Sequence, residues 1–74
     1  MSRLPTLTAR QVLQALKRGG FVESHQRGSH LYLEHPTTGH YTAVPMHPGD
    51  LKRSLLKAII KQAGLTEDEF RELL

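Results

Sequence analysis

The sequence predicts a small α+β fold in the order α-β-β-β-α-α. Three observations carry that expectation. Two segments repeat apolar residues at helical spacing and run into glycine. The stretch between them alternates polar and apolar residues around a Pro-Thr-Thr-Gly turn. A threonine followed three residues later by Gln or Glu marks a helix start at Thr8 and again at Thr66.

Each element follows from local chemistry. Residues 1–7 read as an N-terminal arm. Thr8-Ala9-Arg10-Gln11 fits a capping box, and Ala9, Val12, Leu13 and Leu16 form one apolar face. Gly19-Gly20 supplies a left-handed residue, so the first helix spans Ala9 to Arg18. Phe21 to His25 is β-prone, and Gln26-Arg27-Gly28 reads as a turn. From Ser29 to Glu34, Leu31 and Leu33 point one way while His30, Tyr32 and Glu34 point the other. Pro36-Thr37-Thr38-Gly39 closes a hairpin, and His40 to Val44 forms a third strand stopped by Pro45. Its buried face is open between Tyr41/Ala43 and Thr42/Val44.

His47-Pro48-Gly49-Asp50 reads as a loop with Asp50 as N-cap. In the helix that follows, Leu51, Leu55, Leu56, Ile59, Ile60 and Ala63 make a broad apolar arc. Arg53, Lys57 and Lys61 stack on its other side, and Gly64 closes it. Thr66 to Glu69 starts a short acidic helix through Phe70, Leu73 and Leu74. Helices at both ends of a three-stranded meander are expected to share one sheet face and leave the other free.

A chain of 74 residues has room for one domain with a thin core, divided as an arm (1–7), a core (8–65) and an acidic helix (66–74). A domain this small buries only about 60% of its unfolded surface, so a large internal cavity is not expected. With no cysteine, disulfides and thiolate metal sites are excluded, which fits a reducing compartment. Its apolar runs are too short for a bilayer span, and its start lacks a signal-like apolar core. The expectation is a cytoplasmic protein without a membrane partner. Lys and Arg number ten against seven Asp and Glu, a formal net charge of +3, and the pI is about 9.7. Four of the acids sit in residues 67–72 with one base. Setting that segment aside leaves nine bases against three acids, or +6. Such a body attracts polyphosphate.

The chemistry concentrates in Gly28-Ser29-His30-Leu31-Tyr32 and Val44-Pro45-Met46-His47. Cleaving RNA without a metal needs a base for the 2′-hydroxyl, an acid for the departing 5′-oxygen and fixed donors for the phosphate. Histidine suits the proton steps because imidazole titrates near neutral pH. His30 at a strand start is the candidate catalytic group. His47 is a second proton-transfer or phosphate group if the second and third strands pair. The amides of Gly28 and Ser29 can form an anion-binding nest, or Gly28 can serve only a turn needing positive φ. Arg27 and Lys52 are candidate phosphate holders, and Arg53, Lys57 and Lys61 can track a longer backbone or simply face solvent. Tyr32 is either a base-stacking ring or a half-buried sheet residue. Histidines 25, 30, 35 and 40 step by five, which puts neighbours on opposite strand faces and fits no familiar metal motif. No metal or cofactor is therefore expected. A non-catalytic RNA-binding module is the alternative function.

Gly28-Ser29-His30 with Tyr32, then Val44-Pro45-Met46-His47, then Leu55 to Leu65 (LLKAIIKQAGL) closely resemble the HicA (YcfA-like) toxins of bacterial toxin–antitoxin pairs. The likeness runs from Thr8 to about Phe70. It implies a double-stranded-RNA-binding-domain-like fold and an mRNA interferase, an endoribonuclease that cuts transcripts and halts translation. It implies His30 as the catalytic histidine and mRNA as the substrate. It also implies a HicB-type antitoxin covering the site, with the acidic helix an optional extension. A homodimer and a hetero-oligomer with the antitoxin both stay open. The chain departs from the pattern at Ser54-Leu55, where many relatives carry Gly-Thr at the start of the second helix.

Overall fold

Two helix-ending glycines and two hairpins organise the molecule. The computed structural model describes residues 4–74. The elements are α1 (Ala9–Arg18), β1 (Val22–Arg27), β2 (His30–Glu34), β3 (Tyr41–Pro45), α2 (Arg53–Gln62) and α3 (Glu67–Glu72). The strands form an antiparallel meander in the order β1-β2-β3. The expected α-β-β-β-α arrangement with a short C-terminal helix is therefore the one observed.

Both capping boxes form. Thr8 Oγ1 accepts from the Gln11 amide while the Thr8 amide donates to Gln11 Oε1 at 2.9 Å. Thr66 and Glu69 repeat the exchange in α3. Each satisfies two amides that the first helical turn would leave unpaired. At the other end α1 and α2 finish alike. Gly20 and Gly64 take φ of +98° and +73°. Their amides donate to Lys17 and Lys61, and the next amides, of Phe21 and Leu65, donate to Leu16 and Ile60. Both are Schellman ends, with a hydrophobic residue following the glycine.

The strand alternation held for β2, where Leu31 and Leu33 are buried and His30 and Glu34 exposed. Cross-strand partners share a face, and Leu33 pairs with Thr42 and Leu31 with Val44. That register buries Thr42 and Val44 and turns Tyr41 outward. Thr42 is only 1% exposed, and its hydroxyl donates to Gln62 Oε1 at 2.8 Å, so burial leaves no orphan donor. On the helix side of the sheet, Leu33, Val44, Val12, Leu16, Leu56, Ile59, Ile60 and Phe70 close one core.

Several boundaries differ from the sequence expectation. β1 continues through Gln26 and Arg27, and the turn is Gly28-Ser29. Asp50 is not the N-cap of α2. It bridges Thr8 in extended form, and the Leu51 amide donates to the Leu7 carbonyl at 2.8 Å. Pairing with residues 7 and 8 delays the helix until Arg53, after a Lys52 cap whose side chain has no acceptor to offer. Leu55 is exposed, since the buried stripe is Leu56, Ile59, Ile60 and Ala63. Of the arm expected over residues 1–7, residues 1–3 lie outside the described residues; Leu4 and Leu7 are buried in the core.

His35 and His40 pair across the base of the β2–β3 turn, where the His35 amide donates to the His40 carbonyl. Both side chains point to the helix side. His35 Nδ1 accepts from the Thr37 and Thr38 amides, and its ring meets Phe21 edge-on at 5.2 Å. A Cβ at Gly20 would stand 2.8 Å from the His35 ring, and one at Gly64 would stand 2.5 Å from the His40 ring. The hairpin thus seats one imidazole on each helix end. Gly64→Ala is expected to lower stability by more than about 1 kcal/mol, because it adds φ strain to this contact. His40→Ala should recover part of the loss in a double-mutant cycle read by urea unfolding. Strictly additive effects would dismiss the ring contact.

Candidate functional site

The face of the sheet away from the helices carries the candidate residues of the strands. Its composition depends on an irregularity in β1. The register skips Ser24, with Glu23 opposite Leu33 and His25 opposite Tyr32. An extra residue on one strand reverses the side-chain parity beyond it. Glu23 therefore faces α1, where it forms an ion pair with Lys17. His25 and Arg27 face outward, paired with Tyr32 and His30. Without the bulge they would point to the helix side.

His30 opens β2 on the exposed face, between Arg27 of β1 and Pro45 of β3. The Gly28-Ser29 turn has positive φ (+59°) only at its first residue, the pattern of a type II′ hairpin, which calls for glycine there. A Cβ at Gly28 would meet nothing within 4 Å, so backbone conformation rather than a close approach of the chain explains the glycine. The Gln26 side-chain amide donates to the Gly28 carbonyl at 3.0 Å and braces the turn.

The loop after β3 returns to this turn. The Met46 amide donates to the Ser29 carbonyl at 2.7 Å. That bond delivers His47, whose Nε2 lies 3.3 Å from Ser29 Oγ. The His30 and His47 rings stand 6.4 Å apart, nearly perpendicular, and both are exposed. With hydrogen-bond reach of about 3 Å from each ring, one phosphate group can touch both. Arg27, the cross-strand partner of His30, adds a cation on the same face.

Residues 27–30, Tyr32 and His47 are thus neighbours. The α2 residues are placed differently. Lys52 is exposed at the helix start, and the Arg53 guanidinium donates to the Leu4 carbonyl, tying the N-terminal segment down. Lys57 and Lys61 are exposed on a helix that packs against the opposite side of the sheet from His30. Three neighbouring residues were not among the candidate site residues. Arg10 lines an open groove of about 480 Å³ with Thr8, Met46 and His47. His25 stacks on Tyr32 with ring centres 4.5 Å apart and planes 5° from parallel. Tyr41 lies 5.7 Å from Tyr32 and 6.5 Å from His25. Only the bulge and the strand register bring the last two together, and neither has a local signal.

Fold and site together define a small α+β module that presents a histidine and an arginine on an open sheet face, with a second histidine beside them on the loop after β3. The family model for the HicA toxin of bacterial toxin-antitoxin matches residues 9–65, and the chain belongs to that family. Comparison with curated proteins gives no match. Membership makes the chain the toxin partner of a toxin–antitoxin pair. Among the described residues, no helix is long and apolar enough to cross a membrane.

Proposed function

We propose that this HicA-family toxin is a metal-independent endoribonuclease that cleaves mRNA in the cytoplasm and so inhibits translation. A HicB-type antitoxin that covers the His30 face restrains it. The observation that carries the reading is the exposed His30 ring 6.4 Å from His47 with Arg27 paired opposite.

The chemistry follows from that grouping. One imidazole takes the proton of a ribose 2′-hydroxyl, and the 2′-oxygen attacks the adjacent phosphorus. The bond from phosphorus to the 5′-oxygen breaks, and an acid protonates the departing oxygen. The products are a 2′,3′-cyclic phosphate and a 5′-hydroxyl. His30 holds one proton-transfer role. His47, steadied by Ser29 Oγ, holds the other or anchors the phosphate. Arg27 and the Gly28-Ser29 turn supply positive charge and amide donors for the developing phosphorane charge. Lys52 extends that positive field at the start of α2, and Lys57 and Lys61 serve RNA running past the helix.

Pure protein incubated with RNA in EDTA tests this. Fragments ending in 2′,3′-cyclic phosphate are expected. RNA left intact under salt conditions where it binds would reduce the chain to an RNA-binding module.

A further inference from the structure

We propose that His25, Tyr32 and Tyr41 form a stacking platform that holds unpaired bases of single-stranded RNA next to His30. This inference rests on the nuclease reading and specifies its substrate as single-stranded.

The three rings come from three different strands and meet on the outward face. Their planes lie within 27° of parallel. None belongs to the core, and Tyr41 is 44% exposed. The cross-strand ring pairs add modestly to the stability of the sheet, but the cluster is no part of the core. It does offer the surface on which unstacked bases are held, since every base has a π face. Tyr32 is two residues from His30 along β2, about 7 Å away. A base on the platform therefore belongs to a nucleotide beside the one whose phosphate reaches His30 and Arg27. Glu34, paired with Tyr41, puts a negative charge at the far end of the face. That charge repels phosphate, while Arg27 attracts it at the near end, so the RNA backbone lies toward His30 and the bases toward the rings. Paired bases in a duplex are already stacked and cannot present their faces in this way.

The probe is a fluorescein-labelled single-stranded oligoribonucleotide of mixed sequence, fully 2′-O-methylated so that it lacks the attacking hydroxyl. Anisotropy measures its affinity for wild type and for Tyr32→Leu, Tyr41→Leu, Tyr32→Phe and His25→Ala at one salt concentration. Each Leu variant should bind about five- to a hundredfold more weakly. Tyr32→Phe keeps the ring and should stay within about twofold. His25→Ala, at an exposed edge-strand position, guards against a Leu variant that unfolds, and should also lose affinity. With unmodified RNA, KM should rise while kcat changes little. Leu and Ala variants that bind like wild type, or a duplex of the same sequence bound as tightly, overturn the platform and leave the face to a protein partner. The two readings fail separately. A wild type that cuts nothing but needs its rings for binding removes the nuclease and keeps the platform. A Leu variant that cuts with unchanged KM removes the platform and keeps the nuclease.

Discussion

His30→Ala should abolish growth arrest on induced expression while leaving the fold intact. The ring is exposed at a strand end and contributes nothing to the apolar core. Substitutions at such positions usually shift stability by no more than about 0.5 kcal/mol. Losing a general acid or base, in contrast, slows the chemical step by about a hundred- to ten-thousandfold. That corresponds to about 3–5 kcal/mol of barrier, far beyond the stability effect. Cleavage rates, thermal unfolding and growth curves on the same variant separate the two quantities. Equal arrest by variant and wild type would remove His30 from catalysis. His47→Ala then sorts the partner's role. A fall in kcat as large as that of His30→Ala makes it the second proton-transfer group. A rise in KM with kcat retained makes it a phosphate anchor.

Phe70→Ala should bring the domain close to unfolding. Phe70 is fully buried, although it lies beyond the segment that matches the family and within a helix otherwise made of charged residues. Truncating a buried phenylalanine costs about 3–5 kcal/mol. A 74-residue domain has a total stability of about 4–11 kcal/mol. The loss is therefore a large fraction of the whole. α3 is also tied to α1, because the Arg18 guanidinium donates to the Leu73 carbonyl at 2.8 Å and the Leu73 side chain packs over Gly19. The acidic helix is thus part of the core rather than an optional extension. Urea unfolding checks the magnitude. A midpoint near that of wild type would show that the core closes without it.

Much of this molecule was legible because its signals are local. Thr8/Gln11 and Thr66/Glu69 cap helices through bonds that span three residues, and Gly20 and Gly64 end helices through their own φ. Leu31 and Leu33 declared the inward face of β2 by simple alternation. The nearness of His47 to His30 was legible only as a condition on strand pairing, which the β2–β3 register meets. Where the expectation failed, a distant partner intervened. Asp50 is a good N-cap type, but Thr8 draws it into a bridge instead. His40 is exposed and His35 half-buried, yet each ring lies against a helix-ending glycine, a contact that no local spacing announces.

By itself the sequence determined the order of elements, the helix caps and the position of His30 at the start of an outward-facing strand. All of these depend on a few consecutive residues. Tertiary structure alone decided that His25 and Arg27 join His30 and Tyr32, that Tyr41 turns outward, and that Phe70 lies in the core. The first depends on an unpaired Ser24 that reverses the parity of β1, the second on Tyr41's register against β2, and the third on three helices closing over one sheet face. Each is set by contacts between segments far apart along the chain, where residue spacing carries no information.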